Sequence, residues 1–162
     1  MYQTNHTFAI CAYGESPFLE ECIQSCIGQT ERTNILLATS TPNAYIKNLG
    51  GKYGIPVYVN RGESGITQDW NFAYARCRTE FVTIAHQDDI YKERYVECVL
   101  RRMKRSHKPL IAFTDYYEIR NGMEVRSNRL LKIKRFLLLP LRIRCFAGSR
   151  FGHMCLIDRE KV

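Results

Sequence analysis

The chain has 162 residues, 45% hydrophobic and 25% charged, which fits one globular domain and excludes wholesale disorder. Its net charge of +8 is local: residues 1–119 carry thirteen basic and thirteen acidic groups, residues 120–150 nine basic groups against Glu124 alone. No apolar run approaches the ~18–20 residues of a membrane span, and the residues from Met1 to Cys11 have no features of a secretory leader.

In chain order, Thr7–Ala12 is a short apolar run that predicts a buried strand. Ser16-Pro17 reads as the capped start of a helix whose inner face is Leu19, Cys22, Ile23, Cys26 and Ile27. Asn34–Ala38 predicts a second strand. Thr41-Pro42 repeats the cap-then-proline start, before a helix lined by Tyr45, Ile46, Leu49 and Tyr53 that ends near Gly50-Gly51 or Gly54. Pro56–Val59 is a third strand, and Ile66, Trp70, Ala73 and Cys77 recur at helical spacing. On that stripe Trp70 is expected to pack in the core and not on a ligand.

Phe81–Ala85 predicts a fourth strand, Arg94–Ser106 a helix and Leu110–Thr114 a fifth strand. Tyr116–Arg120 and Met123–Arg126 flank Asn121-Gly122, the signature of a hairpin. Strand and helix alternate four times, which predicts an α/β fold: a mostly parallel sheet with helices on both faces and an attached antiparallel hairpin. Two domain segments are expected, an α/β core over 1–119 and a basic, apolar segment over 120–162.

In such sheets the ligand crevice lies beyond the carboxyl ends of the strands. Strand one is followed by Tyr13-Gly14-Glu15, strand two by Thr39-Ser40-Thr41, and strand three by Asn60-Arg61-Gly62 leading to Gly65. Strand four ends in His86-Gln87-Asp88-Asp89. Adjacent carboxylates at a strand end repel each other unless a cation or hydrogen bonds compensate. Mg²⁺ or Mn²⁺, which take carboxylate and phosphate oxygens, would suit the pair. The competing reading has Asp88 and Asp89 capping the next helix. Tyr13 could lay its ring on a nucleobase. Cys22 and Cys26, four residues apart, read as core thiols, since no further ligand stands at metal spacing. The seven cysteines are odd in number and scattered, so reduced thiols and a cytoplasmic chain are expected. His6, His107 and His153 belong to no catalytic constellation.

These pieces, in this order, resemble the family 2 glycosyltransferases of the GT-A fold. Phe8 to Glu15 is similar to the family's first strand and Tyr-Asn-Glu loop, with Gly14 in place of Asn. Pro17 to Cys26 with Gln29-Thr30 looks like its first helix, and Gly65 to Asn71 with Ala75 resembles the stretch before its fourth strand. Phe81 to Asp89 looks like the family's Asp-X-Asp strand and metal motif, with His86 where an aspartate often stands. The resemblance implies a nucleotide site drawn from Ala12, Tyr13, Glu15, Thr39, Gly65, Asn71 and Asp88. It implies a metal, Mn²⁺ or Mg²⁺, on Asp89 with Asp88, and an inverting transfer from a nucleotide-diphosphate sugar.

The usual base-reading aspartate after strand two is replaced by Thr39-Ser40-Thr41. The general base of the family lies further along than Val162, so no catalytic base is assigned. Asp158 and Glu160 are the only late carboxylates. A nucleotide-binding remnant without turnover is the alternative. The acceptor, a glycan, lipid or protein, is left open. Residues 130–144 are both apolar and basic. They read either as a helix on the inner membrane face or as one packed on the protein with its basic side in water. Nucleic-acid binding is disfavoured, because leucines and not aromatics interleave the basic residues.

Overall fold

Two alternating apolar faces along each strand organise the molecule. In the computed structural model, which describes residues 4–105 and 116–126 together with 112, 114, 129, 132 and 133, β1 (His6–Cys11) turns Phe8 and Ile10 to one face and Ala9 and Cys11 to the other. α1 (Leu19–Ile27) follows, then β2 (Asn34–Thr39), α2 (Ala44–Tyr53), β3 (Val57–Val59), α3 (Ile66–Ala75), β4 (Phe81–His86) and α4 (Tyr95–Arg105). The four strands form one parallel sheet in the order β3-β2-β1-β4. Phe8, Ile10, Leu37 and Ala85 meet Leu19, Cys22, Ile23, Ile46, Val96 and Leu100 on one face. Fully burying each large apolar side chain there contributes roughly 1.5–3 kcal/mol. Ala9, Leu36, Ala38 and Ala73 form the core of the other face, so helices cover both sides as expected.

Helix starts differ from the sequence expectation. Ser16 does not cap α1: its hydroxyl accepts the Phe18 N–H in a turn one step earlier, and the N-cap position falls on Phe18. α2 starts after Asn43, whose side chain accepts the Ile46 N–H at 2.9 Å. Thr41 is thereby free for another bond, described below. α2 ends at Gly54, in the left-handed conformation at φ 64°.

The largest departure is α3. Ile66 is 73% exposed and Trp70 38%, so the expected stripe is not the buried one. Only Ala73 in the helix is fully buried, with Phe72 and Cys77 partly buried around it. The inward stripe is Asp69, Phe72, Ala73 and Cys77. A charged residue heads it, and for that reason hydrophobic spacing selects Trp70 instead.

In the residues beyond Leu100, which form a separate compact unit, β5 (Glu118–Arg120) and β6 (Met123–Val125) pair antiparallel. Asn121 and Gly122 both take positive φ, 51° and 74°, as the hairpin turn requires. The expected strand at Leu110–Thr114 lies outside the described residues except for Ala112 and Thr114, and the 130–144 segment except for Lys132 and Ile133. Asp158, Glu160, His107, His153, Cys145 and Cys155 also lie outside them. Among the described residues no helix is long and apolar enough to cross a membrane.

Candidate functional site

β2 and β3 lie on one side of β1 and β4 on the other, so the sheet's switch point falls between the carboxyl ends of β1 and β4. The two strands stay in register to their last residues, Cys11 opposite His86. Beyond them stand Tyr13, 66% exposed, and the turn that carries Gln87, Asp88 and Asp89.

The β1 loop is fastened from both sides. Gly14 takes φ 60°, and its N–H donates to Thr41 Oγ1 at 2.7 Å. Its carbonyl accepts from Asn43 Nδ2 at 2.9 Å. Glycine and asparagine are the residues that enter this left-handed region most readily, so Gly14 can stand where the resembling sequences carry Asn. On the other side Gln87 pairs with the main chain of Tyr13. Ala12 is buried, and its N–H donates to the Ala38 carbonyl. Glu15 is exposed.

Asp88 and Asp89 follow β4 after Gln87, and α4 begins only at Tyr95, so neither caps that helix. Both are exposed, and among the described residues no hydrogen bond reaches either carboxylate. The protein around the Asp89 carboxyl displaces enough water to raise its pKa; His86 pulls it down, and Asp88 adds to the rise. Such a pair is short of positive charge, which is what a hard cation supplies. No group of three or more candidate metal ligands occurs among the described residues. A cation held here would therefore complete its shell with water or ligand oxygens. His86 is exposed and meets the edge of Trp70, with ring centroids 5.1 Å apart.

The segment after the carboxylates is fixed by α1 and the residues following it. Cys22 Sγ donates to the His86 carbonyl, and Ser25 Oγ accepts the Tyr91 N–H. Gln29 Nε2 donates to the carbonyls of Ser25 and Lys92, while its Oε1 accepts the Val96 N–H in the first turn of α4. The Thr30 N–H donates to the Glu93 carbonyl at 2.8 Å. The Gln-Thr pair noted in the sequence is thus a clamp on the stretch that presents Asp88 and Asp89.

Asp69 was not singled out from the sequence, yet it ties together two strand-end loops, those after β2 and β3. Its carboxylate accepts from Ser40 Oγ and from Asn60 Nδ2, both at 2.8 Å, and from the Gly65 N–H at 3.5 Å. Gly65 sits at φ 149°, a backbone conformation that side chains rarely adopt, so the position favours glycine. Thr39 is 1% exposed and its hydroxyl accepts the Thr41 N–H, so its side chain serves the loop. The Asn71 side chain is exposed and makes no hydrogen bond among the described residues. The structure brings Tyr13 and the Gln87–Asp89 turn together, and it joins Ser40, Asn60 and Gly65 through Asp69.

Cysteine chemistry finds no support. Burial pushes the thiols of Cys11 and Cys77 up to about 11, Asp69 adding to the rise at Cys11, so both stay protonated near neutral pH. Cys22 and Cys26 are fully buried, as their place on the inner stripe of α1 implies. Cys11, Cys22, Cys26 and Cys77 are free thiols.

Comparison with known proteins agrees with the fold. Two solved structures of similar fold are "Crystal structure of S. aureus TarS" and "Crystal structure of S. aureus TarS 1-349". They align with TM-scores of 0.56 and 0.54 at 15% and 13% identity, each over 62% of this chain. The chain spans 20% and 32% of those two proteins' lengths. A search of curated proteins gives no match. The sequence matches the family described as "Glycosyl transferase family 2" over residues 7–162, nearly its whole length. With the strand order and the carboxylate turn already in place, the chain belongs to glycosyl transferase family 2.

Proposed function

We propose that this chain provides the donor side of a glycosyltransferase, binding a nucleoside-diphosphate sugar across the carboxyl ends of β1 and β4. One observation carries the reading: Asp88 and Asp89 stand together, exposed and with no hydrogen bond to either carboxylate among the described residues, at the sheet's switch point beside the Tyr13 loop. Asp89 with Asp88 would hold Mn²⁺ or Mg²⁺, which would neutralise charge on the diphosphate. Asp88 would also reach the ribose, and Tyr13 would face the base. Ala12, Glu15, Gly65 and Asn71 complete the proposed nucleotide site. Thr39 contributes through the loop it braces.

In the transfer an acceptor hydroxyl attacks the anomeric carbon. The new carbon–oxygen bond forms as the bond to the diphosphate breaks, and that electron pair leaves on the diphosphate. In-line attack inverts the anomeric centre, and the acceptor proton passes to a base that is not assigned here. The acceptor is a glycan, lipid or protein hydroxyl.

Calorimetric titration of UDP, GDP and CDP, with and without Mn²⁺, tests the reading. One nucleotide should bind in a metal-dependent way, and Asp89→Ala should weaken it by more than about tenfold, the loss seen even for residues that only support metal ligands. Metal-independent binding, or equal binding by the variant, would overturn the assignment.

A further inference from the structure

Gln87 stands between the end of β4 and the two carboxylates, and its carboxamide is wholly engaged with one residue. Oε1 accepts the Tyr13 N–H at 2.8 Å, and Nε2 donates to the Tyr13 carbonyl at 3.1 Å. A side chain thus continues the β1–β4 pairing past its last main-chain pair, Cys11 and His86. Among the described residues no other hydrogen bond joins the 12–15 loop to the 87–90 turn. The remaining fastenings of that loop run toward β2, through Thr41 and Asn43.

The chemistry of the pair is specific. A carboxamide offers one donor and one acceptor on neighbouring atoms, as a peptide unit does. Glutamate would present no proton to the Tyr13 carbonyl, and asparagine is one methylene shorter. Both main-chain groups of Tyr13 are held while the residue remains 66% exposed. The arrangement spends polar contacts on orienting an aromatic residue that it leaves open to solvent. Asp88 and Asp89 are the next two residues after Gln87 in the same turn.

We propose that Gln87 is a positioning residue of the nucleotide site: its carboxamide clamps the Tyr13 main chain, fixing the ring as a base platform at a set distance from Asp88 and Asp89. The inference rests on the donor-site reading above. It makes recognition of the base and of the diphosphate parts of one rigid receptor. Without the clamp, the Tyr13 loop must be ordered when the nucleotide binds. Fixing one residue's backbone costs about tenfold in affinity or somewhat more.

The test compares two probes, in the presence of Mn²⁺, on the full chain: the best-binding of UDP, GDP and CDP, and inorganic diphosphate. Gln87→Leu and Gln87→Asn should each weaken the nucleotide about tenfold and leave inorganic diphosphate unchanged, with circular dichroism confirming the fold. In a Tyr13→Ala background, Gln87→Leu should add no further loss, because the clamp acts through the ring. Unchanged nucleotide affinity in both variants would overturn the proposal. So would equal loss of both probes, or full additivity with Tyr13→Ala. If the unaltered chain binds no nucleotide, the donor-site reading falls first and this inference with it.

Discussion

His6 illustrates what single residues contribute that spacing does not reveal. The sequence places it before the first strand, with no partners. The structure makes it the first residue of β1, 1% exposed, with Nδ1 at 2.6 Å from Thr33 Oγ1 and Nε2 at 2.9 Å from Thr83 Oγ1. Thr33 can pass its own proton to a main-chain carbonyl, so its oxygen accepts from Nδ1–H and Thr83 donates to Nε2. The ring is satisfied as the neutral species, and burial lowers its pKa from 6.5 to about 4. Below pH 6.5 the unfolded chain takes up a proton that the folded chain refuses until about pH 4. Stability is therefore complete above pH 6.5 and falls as pH drops toward 4, by up to about 3 kcal/mol from this group. Urea unfolding at pH 7 and 4.5 should show a smaller pH-dependent loss in His6→Gln than in the unaltered chain. An equal loss in the two proteins would refute this account. Asp69 teaches the same lesson: a charged residue on an inner helical stripe looks solvated until the loops it binds are known.

At the scale of elements, strands were more legible than helix ends. Buried strands announce themselves by apolar runs, because every residue faces one core or the other. All four parallel strands fall within a residue of their expected ends. Helix starts depend on which side chain reaches which N–H, and both proline-led starts shifted inward, to Phe18 and Asn43. The N-terminal turn of α4 is the extreme case, because its side-chain acceptor, Gln29, lies 67 residues earlier. Gln29→Ala removes that acceptor and two donated bonds, so a loss of about 2 kcal/mol is expected in urea unfolding. The Thr30 to Glu93 main-chain bond survives the substitution, so the fold should persist. A variant with unchanged stability would show that water replaces Gln29 without cost.

For the whole molecule, the sheet decides where chemistry can occur. The order β3-β2-β1-β4 puts Tyr13 next to a turn that lies 74 residues away in sequence. Ligand linkage offers a measurement on the whole chain. A nucleotide at a hundred times its dissociation constant, with Mn²⁺ present, should stabilise the fold by about 2.7 kcal/mol. The melting temperature should rise accordingly, and EDTA should reverse the rise. A shift that survives chelation would place binding away from Asp88 and Asp89.

The sequence alone determined the alternation of strand and helix, the hairpin at Asn121-Gly122, the carboxylate pair and the family resemblance. These are local: each is written in a run of neighbouring residues whose periodicity, turn chemistry or motif can be read without knowing the rest. Tertiary structure alone decided that Trp70 faces outward, that Asp69 binds two loops, that Gln29 caps a distant helix and that Gln87 grips Tyr13. Those outcomes depend on polar groups meeting across the ends of adjacent strands. A hydrogen bond carries no periodic signature along the chain, and only the order and register of the sheet bring its two partners within reach.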